Sequence, residues 1–257
     1  MASGGSPLPL DLDPSILDAQ TSPSGCAPYG STSELFASVL ESFITCGFAR
    51  NVALGASFFV FASWHPDCLP APPCLLITGP RYDAGLLLQL LGGMVRHGLA
   101  LGEVTRADFC SLPLRRQVTL LLSNESISRS GKKLLSFSKN SGASLLSKGR
   151  LVEISCAKAV YLGNASDNGH IGGVSLKIDL APFGTSLPIC DSGTRIGIAN
   201  FFQPRLLEYR RKNLAKVKNS SVDLPQSASD IRLLAQIFGG SIIDALKVLR
   251  EHHRLLR

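Results

Sequence analysis

Two short runs in this chain are apolar apart from one threonine each: Leu75–Thr78, reached through Cys74, and Val118–Leu122, which reads VTLLL. A strand with one wet face alternates apolar and polar residues. A strand without alternation has to be covered on both faces, which is the environment of a parallel sheet under flanking helices. Helical patterns lie between such runs. Gly85–His97 reads as a helix after the first, Leu99–Leu101 as a short strand, and Thr105 as the cap of a short helix reaching Leu112. Ser130–Lys139 reads as a basic helix, and Arg150–Ile154, Ala159–Leu162 and Val174–Leu180 as further strands. Upstream, Ser31-Thr32-Ser33-Glu34 has capping-box spacing before the amphipathic stretch Leu35–Cys46. A second helix spans Arg50–Trp64, closed by His65-Pro66-Asp67. The expectation is an α/β domain with a mainly parallel sheet, in which the Leu75–Thr78 and Val118–Leu122 strands are central.

The stretch after the first strand has the strand–loop–helix layout of a P-loop, whose motif is G-x-x-x-x-G-K-[ST]. Gly79 fills the first position. Ala84 stands for the second glycine, Gly85 for the lysine and Leu86 for the hydroxyl residue. The lysine neutralises β- and γ-phosphates and the hydroxyl holds Mg²⁺, and neither replacement can do this. Gly79, Pro80, Arg81 and Gly85 are therefore candidates for a vestigial nucleotide site, with Arg81 the one side chain able to stand in for the lysine. Where a second strand should end in an acid pair, VTLLL runs into Ser123-Asn124-Glu125. Glu125 is the sole candidate base, or else a turn acid. In one register Asn124-Glu125 replaces the pair and puts an amide at the metal-ligand position; in the other Ser123-Asn124 replaces it and both acids are gone. Asn164 follows Ala159–Leu162 either as a phosphate-sensing residue or as part of a turn in Asn-Ala-Ser-Asp-Asn-Gly. No G-x-S-x-G elbow, H-E-x-x-H or G-x-G-x-x-G accompanies a suitable strand.

Charge divides the chain. The acids Asp11, Asp13, Asp18, Glu34 and Glu41 precede the first basic residue, Arg50; from there on 26 basic residues face 14 acidic ones. Arg205, Arg210, Arg211, Lys212, Lys216 and Lys218 cluster around the single acid Glu208, a candidate contact for DNA or RNA. The alternative is a helix docked through Leu206, Leu207, Leu214 and Val217 with its charges in water. Seven cysteines form no C-x-x-C pair, and the histidines are dispersed, so neither a disulfide framework nor a metal site is expected. Buried thiols, the lack of a signal-like N-terminus and a longest apolar run of about 13 residues point to a cytoplasmic protein without a membrane span. By composition, residues 1–30 form a disordered leader, 31–190 the α/β domain and 191–257 a small basic helical appendage.

The segments VALGASFFVFASW, LLITGP, HGLALGEVTRADF, VTLLLSNES, AKAVYLGNASDNG and VSLKIDLAP occur in the order seen in a bacterial family of helicase-like, primase-associated P-loop ATPase domains of mobile elements, and the chain resembles that family over roughly half its length. The resemblance implies a P-loop NTPase-like fold. It does not carry the family's ATP-driven work across, because Gly85, Leu86 and Asn124 stand at its diagnostic positions and Gly172-Gly173 stand where an arginine is expected. The function expected is a degenerate, non-hydrolysing P-loop ATPase-like protein that binds nucleic acid, a protein partner or a second copy of itself, with no cofactor. The alternatives are an ATP- and Mg²⁺-binding protein with weak ATPase activity linked to DNA replication or mobile elements, and a structural or assembly module.

Overall fold

A computed structural model of the 257-residue chain describes residues 23, 25–66, 72–102, 118–123, 143–147, 150–154, 156–163, 175–182 and 191–219. The helices expected from Thr105 to Leu112, at Ser130–Lys139 and at 227–238 and 241–256 lie outside these residues. So do Asn124, Glu125 and Asn164.

The first helix, α1 (Thr32–Thr45), starts on the capping box read from the sequence. Ser31 Oγ accepts the Glu34 N–H at 3.1 Å, and Glu34 Oε2 accepts the Ser31 N–H at 2.8 Å. Its apolar stripe, Leu35, Phe36, Val39, Leu40 and Phe43, is buried against α2 (Arg50–Ser63). From Val52 onward α2 is buried on all sides, and its two polar residues turn inward on the helix itself: Ser57 Oγ donates to the Ala53 carbonyl and Ser63 Oγ to that of Val60.

Five strands form one sheet, every pair of them parallel: β1 (Cys74–Thr78), β2 (Gly98–Leu101), β3 (Thr119–Leu122), β6 (Ala157–Tyr161) and β7 (Ser175–Asp179), in the spatial order β2-β3-β6-β1-β7. The chain is thus α/β with a parallel sheet and flanking helices. The two continuously apolar runs are interior strands, as their lack of alternation requires, with β6 between them. Leu75, Ile77, Leu121, Ala159, Tyr161 and Ile178 point to the face covered by α2 and by α3 (Arg81–Met94), and belong to the main hydrophobic cluster. Cys74, Leu76, Leu120, Leu122, Lys158 and Val160, on the opposite face, are buried as well.

One strand departs from expectation. Arg150–Ile154 (β5) does not join the parallel sheet; it pairs antiparallel with β4 (Ala143–Ser147) as a separate two-stranded unit. The pairing with a neighbour only two residues away in sequence outcompetes insertion between distant strands, because closing a short loop costs little entropy.

The last described helix, α4 (Ser192–Asn219), is packed into the core through Asn213. Phe202, Leu206 and Tyr209 join the same cluster as α1, α2 and α3. Tyr209 meets Phe61 edge-on at 5.0 Å and His65 at 5.4 Å, and burial pushes the pKa of its hydroxyl up. Close passage of α4 over α3 depends on Gly93, where a Cβ would come within 2.9 Å of Ile198 Cγ2. Residues 25–30, assigned by composition to the leader, run along α4. The Ala27 N–H donates to the Pro204 carbonyl at 3.1 Å, and Tyr29 stacks edge-on to Tyr209 at 5.8 Å.

Candidate functional site

In an open parallel sheet the ligand crevice lies beyond the carboxyl ends of the strands, where connections leave neighbouring strands in opposite directions. Here that point lies between β6 and β1. In the strand order the next strand after β1 is β2, on the far side of β6 and β3, while the next after β6 is β7, on the far side of β1. Gly79 follows β1, Gly163 lies beyond β6 and Ser123 follows β3, so the topology brings the P-loop-like turn and the positions just before Asn164 and Asn124 to one edge.

The turn itself is short. The sequence reading started the helix at Gly85; it starts at Arg81, with Pro80 at its N-cap in an extended conformation. Proline fixes φ near −65° and lacks an N–H that the first turn would leave unpaired anyway, so it launches the helix directly. Only Gly79 and Pro80 separate β1 from α3. A phosphate-wrapping loop needs its extra residues outside the helix, and here the four that would follow Pro80 are consumed by the first helical turn.

What remains is closed by the protein's own groups. Gly79 has φ 110°, a conformation that favours glycine, and a Cβ there would sit 2.8 Å from the Leu180 Cβ. Its N–H donates to the Gly163 carbonyl at 3.4 Å, and its carbonyl accepts from the Tyr161 hydroxyl at 2.8 Å. Leu162 N–H donates to Ile77 and Leu180 N–H to Thr78, both at 2.9 Å, which zips the turn to β6 and β7. Thr78 Oγ1 donates to Asp179 Oδ1 at 2.9 Å. Tyr161 and Asp179 were not singled out from the sequence, since only the register of β1 against β6 and β7 places them here.

The electrostatics at the start of α3 are mixed. Arg81 and Tyr82 are exposed. Asp83, only 5% exposed, puts a carboxylate into the first turn, at the positive end of the helix dipole where a phosphate would have to go. Gly85 is half-buried within the helix, and a Cβ there would meet nothing within 4 Å. Leu86, at the hydroxyl position of the motif, faces the core.

The basic cluster is spent differently at each position. Arg205 lies over the Phe201 ring, 3.9 Å from its centroid, and donates to the Phe201 carbonyl. Arg210 donates to the Trp64 carbonyl and so ties α4 to the end of α2. Arg211 grips Glu208 with two hydrogen bonds, of 2.8 and 3.0 Å, and Lys212 approaches the same carboxylate at 3.6 Å. The Arg211 pair is first among the causes that hold the Glu208 carboxyl below the usual range. The side chains of Arg211 and Lys212 remain 71% and 55% exposed. Lys216 and Lys218 lie in α4, with side chains outside the described set.

Among the described residues no group of three or more His, Cys, Asp or Glu is placed to hold a metal ion, and no helix is long and apolar enough to cross a membrane. Cys26, Cys46, Cys74 and Cys156 carry free thiols, the last two buried. No family model, curated protein or solved structure matches this chain.

Proposed function

We propose that this protein is a non-hydrolysing, P-loop-ATPase-like α/β protein that acts by binding a protein partner. The observation that carries this reading is the two-residue turn between β1 and α3. It has no length to wrap a phosphate, the N–H and carbonyl of its glycine are bonded to Gly163 and to Tyr161 of β6, and a buried carboxylate stands in the first helical turn. The resemblance to helicase-like ATPase domains supplies the frame. On that resemblance the strand that carries the acid pair would be β3, which lies across β6 from β1, so the ends of β1 and β3 share one edge, and the motif residues at Gly85, Leu86 and Asn124 are not those that perform the reaction. Each missing contact of that kind commonly contributes a few kcal/mol to transition-state stabilisation. Titration with ATP, with and without Mg²⁺, tests the reading. No saturable binding is expected at millimolar nucleotide, and turnover of about 1 per second or more would overturn it.

A second reading, nucleic-acid binding, rests on the outward, exposed heads of Arg211 and Lys212. It predicts binding that weakens steeply with salt and carries little base preference. Arg210 is anchored to Trp64, so the informative variant is the pair Arg211→Ala and Lys212→Ala, with affinity measured at two salt concentrations. A loss of affinity and a shallower salt slope support this reading, and unchanged values leave the protein partner.

A further inference from the structure

An open groove of about 840 Å³ lies between α1 and the first half of α4. Its α1 wall is Ala37, Ser38, Glu41, Ser42 and Thr45, one face of the helix at three- and four-residue spacing. Its α4 wall is built on Thr194, Gly197, Ile198 and Phe201. Small residues make the hollow: a Cβ on Gly197 would meet nothing within 4 Å. A large residue makes a projection beside it, since Phe201 is 46% exposed and is one of only three large apolar side chains exposed among the described residues. The groove also carries both signs of charge. Glu41 stands on the α1 wall, and Arg205 extends the α4 wall one turn beyond Phe201. Among the described residues Glu41 makes no ion pair, and Arg205 is engaged by a carbonyl and a ring but by no carboxylate.

A hollow, a projection that fits it and one charge of each sign on the same surface are what a two-fold interface requires, because each subunit must present both halves of every contact. We propose that this groove is the interface of a homodimer. Phe201 of each copy enters the hollow over Gly197 of the other, and Glu41 of each copy faces Arg205 of the other. An aromatic anchor in a hollow of small residues, flanked by an Arg–carboxylate pair, is the composition of an interface hot spot. The inference does not rest on the reading of the β1–α3 turn, and nucleotide binding there would leave it standing.

The test is sedimentation equilibrium of the full chain over about 1 to 100 µM, a range that brackets micromolar dimers. A concentration-dependent dimer is expected. Glu41→Arg and Arg205→Glu, each placing like charges together twice, should raise the dissociation constant at least tenfold, on the order of a like-charge clash at an interface. The double variant should restore it. Gly197→Leu puts a side chain into the hollow at a position where a Cβ meets nothing within 4 Å, and should give a folded monomer by circular dichroism. A wild-type monomer across the whole range overturns the proposal, whether the groove then takes another protein or a different part of this chain. A dimer indifferent to both Gly197→Leu and the charge swap overturns it too.

Discussion

The turn after β1 and the groove beside α4 each centre on a glycine, and they use it in opposite ways. At Gly79 there is no room and no freedom: φ is 110°, Leu180 fills the space of a side chain, and both polar atoms of the backbone are bonded. At Gly197 there is empty space in a regular helix. The first region looks like a binding site in sequence and is a closed joint in the fold. The second carries no motif and leaves a hollow, the exposed Phe201 and the exposed Glu41 carboxylate at the surface. Whether a surface can bind depends on which groups the fold has left uncommitted, more than on which residue types it contains.

The same substitution at the two positions probes this most directly. Gly79→Ala should lower stability by about 2–4 kcal/mol, from backbone strain together with overlap on Leu180. Urea denaturation of the variant measures it, and a loss under about 1 kcal/mol would mean the joint is looser than described. Rebuilding the motif tests the same closure from the other side. Leu86→Thr should cost about 2–3 kcal/mol, because a core methyl is lost and a hydroxyl is buried. Gly85→Lys enters open space and should be tolerated. Together they should produce no ATP turnover, since the turn would remain two residues long.

The basic helix offers a comparison within itself. Arg210→Ala should destabilise by about 1–2 kcal/mol through the lost hydrogen bond to the Trp64 carbonyl. Arg211→Ala, whose guanidinium is mostly in water, should stay within about 0.5 kcal/mol. Equal effects would erase the distinction between the anchoring and the exposed cations. At the open glycine, Gly197→Ala should raise stability by about 0.5–1 kcal/mol, because alanine suits a helix interior better and restricts the unfolded chain. The smallest effect concerns acid. Glu34, Asp191 and Glu208 all titrate below their ordinary values of 4.5, 3.8 and 4.5, held there first by the Ser31 backbone N–H, the Thr194 backbone N–H and the Arg211 side chain. Depressed carboxyls contribute stability above the unfolded values that is lost as pH falls through the folded ones. The thermal midpoint should therefore hold down to about pH 4.5 and decline below it, less steeply in a variant carrying Glu34→Gln, Asp191→Asn and Glu208→Gln.

Local signals in the sequence were legible. The capping box at Ser31 marks α1, and the unbroken apolar runs mark β1 and β3 as doubly covered strands, because each of these depends on neighbours within one turn or one strand. The start of α3 was misplaced by the P-loop template, although Pro80 before Arg81 is itself a start signal. The β4–β5 pairing was missed because ASLLS is too short and too polar to read as a strand alone. Least legible was the division of labour in α4. Arg210 and Arg211 are adjacent and identical in type, and only the packing of Tyr209 and Leu206 into the core decides which of them turns to Trp64 and which faces Glu208 and water. Tyr161 gives no warning of its role, since its partner at Gly79 lies 82 residues away.

Trp64 is the chain's single tryptophan, and it sits at a three-way junction. Its indole N–H donates to the carbonyl of Met94 at the end of α3 at 3.0 Å, its own carbonyl receives Arg210 from α4, and it caps the end of α2. The molecule therefore carries a built-in fluorophore at one joint. Emission at short wavelength reports the indole enclosed, and a red shift with quenching reports water arriving there. Loosening of α4 can thus be followed in real time, without a label, separately from the melting of the sheet seen by circular dichroism.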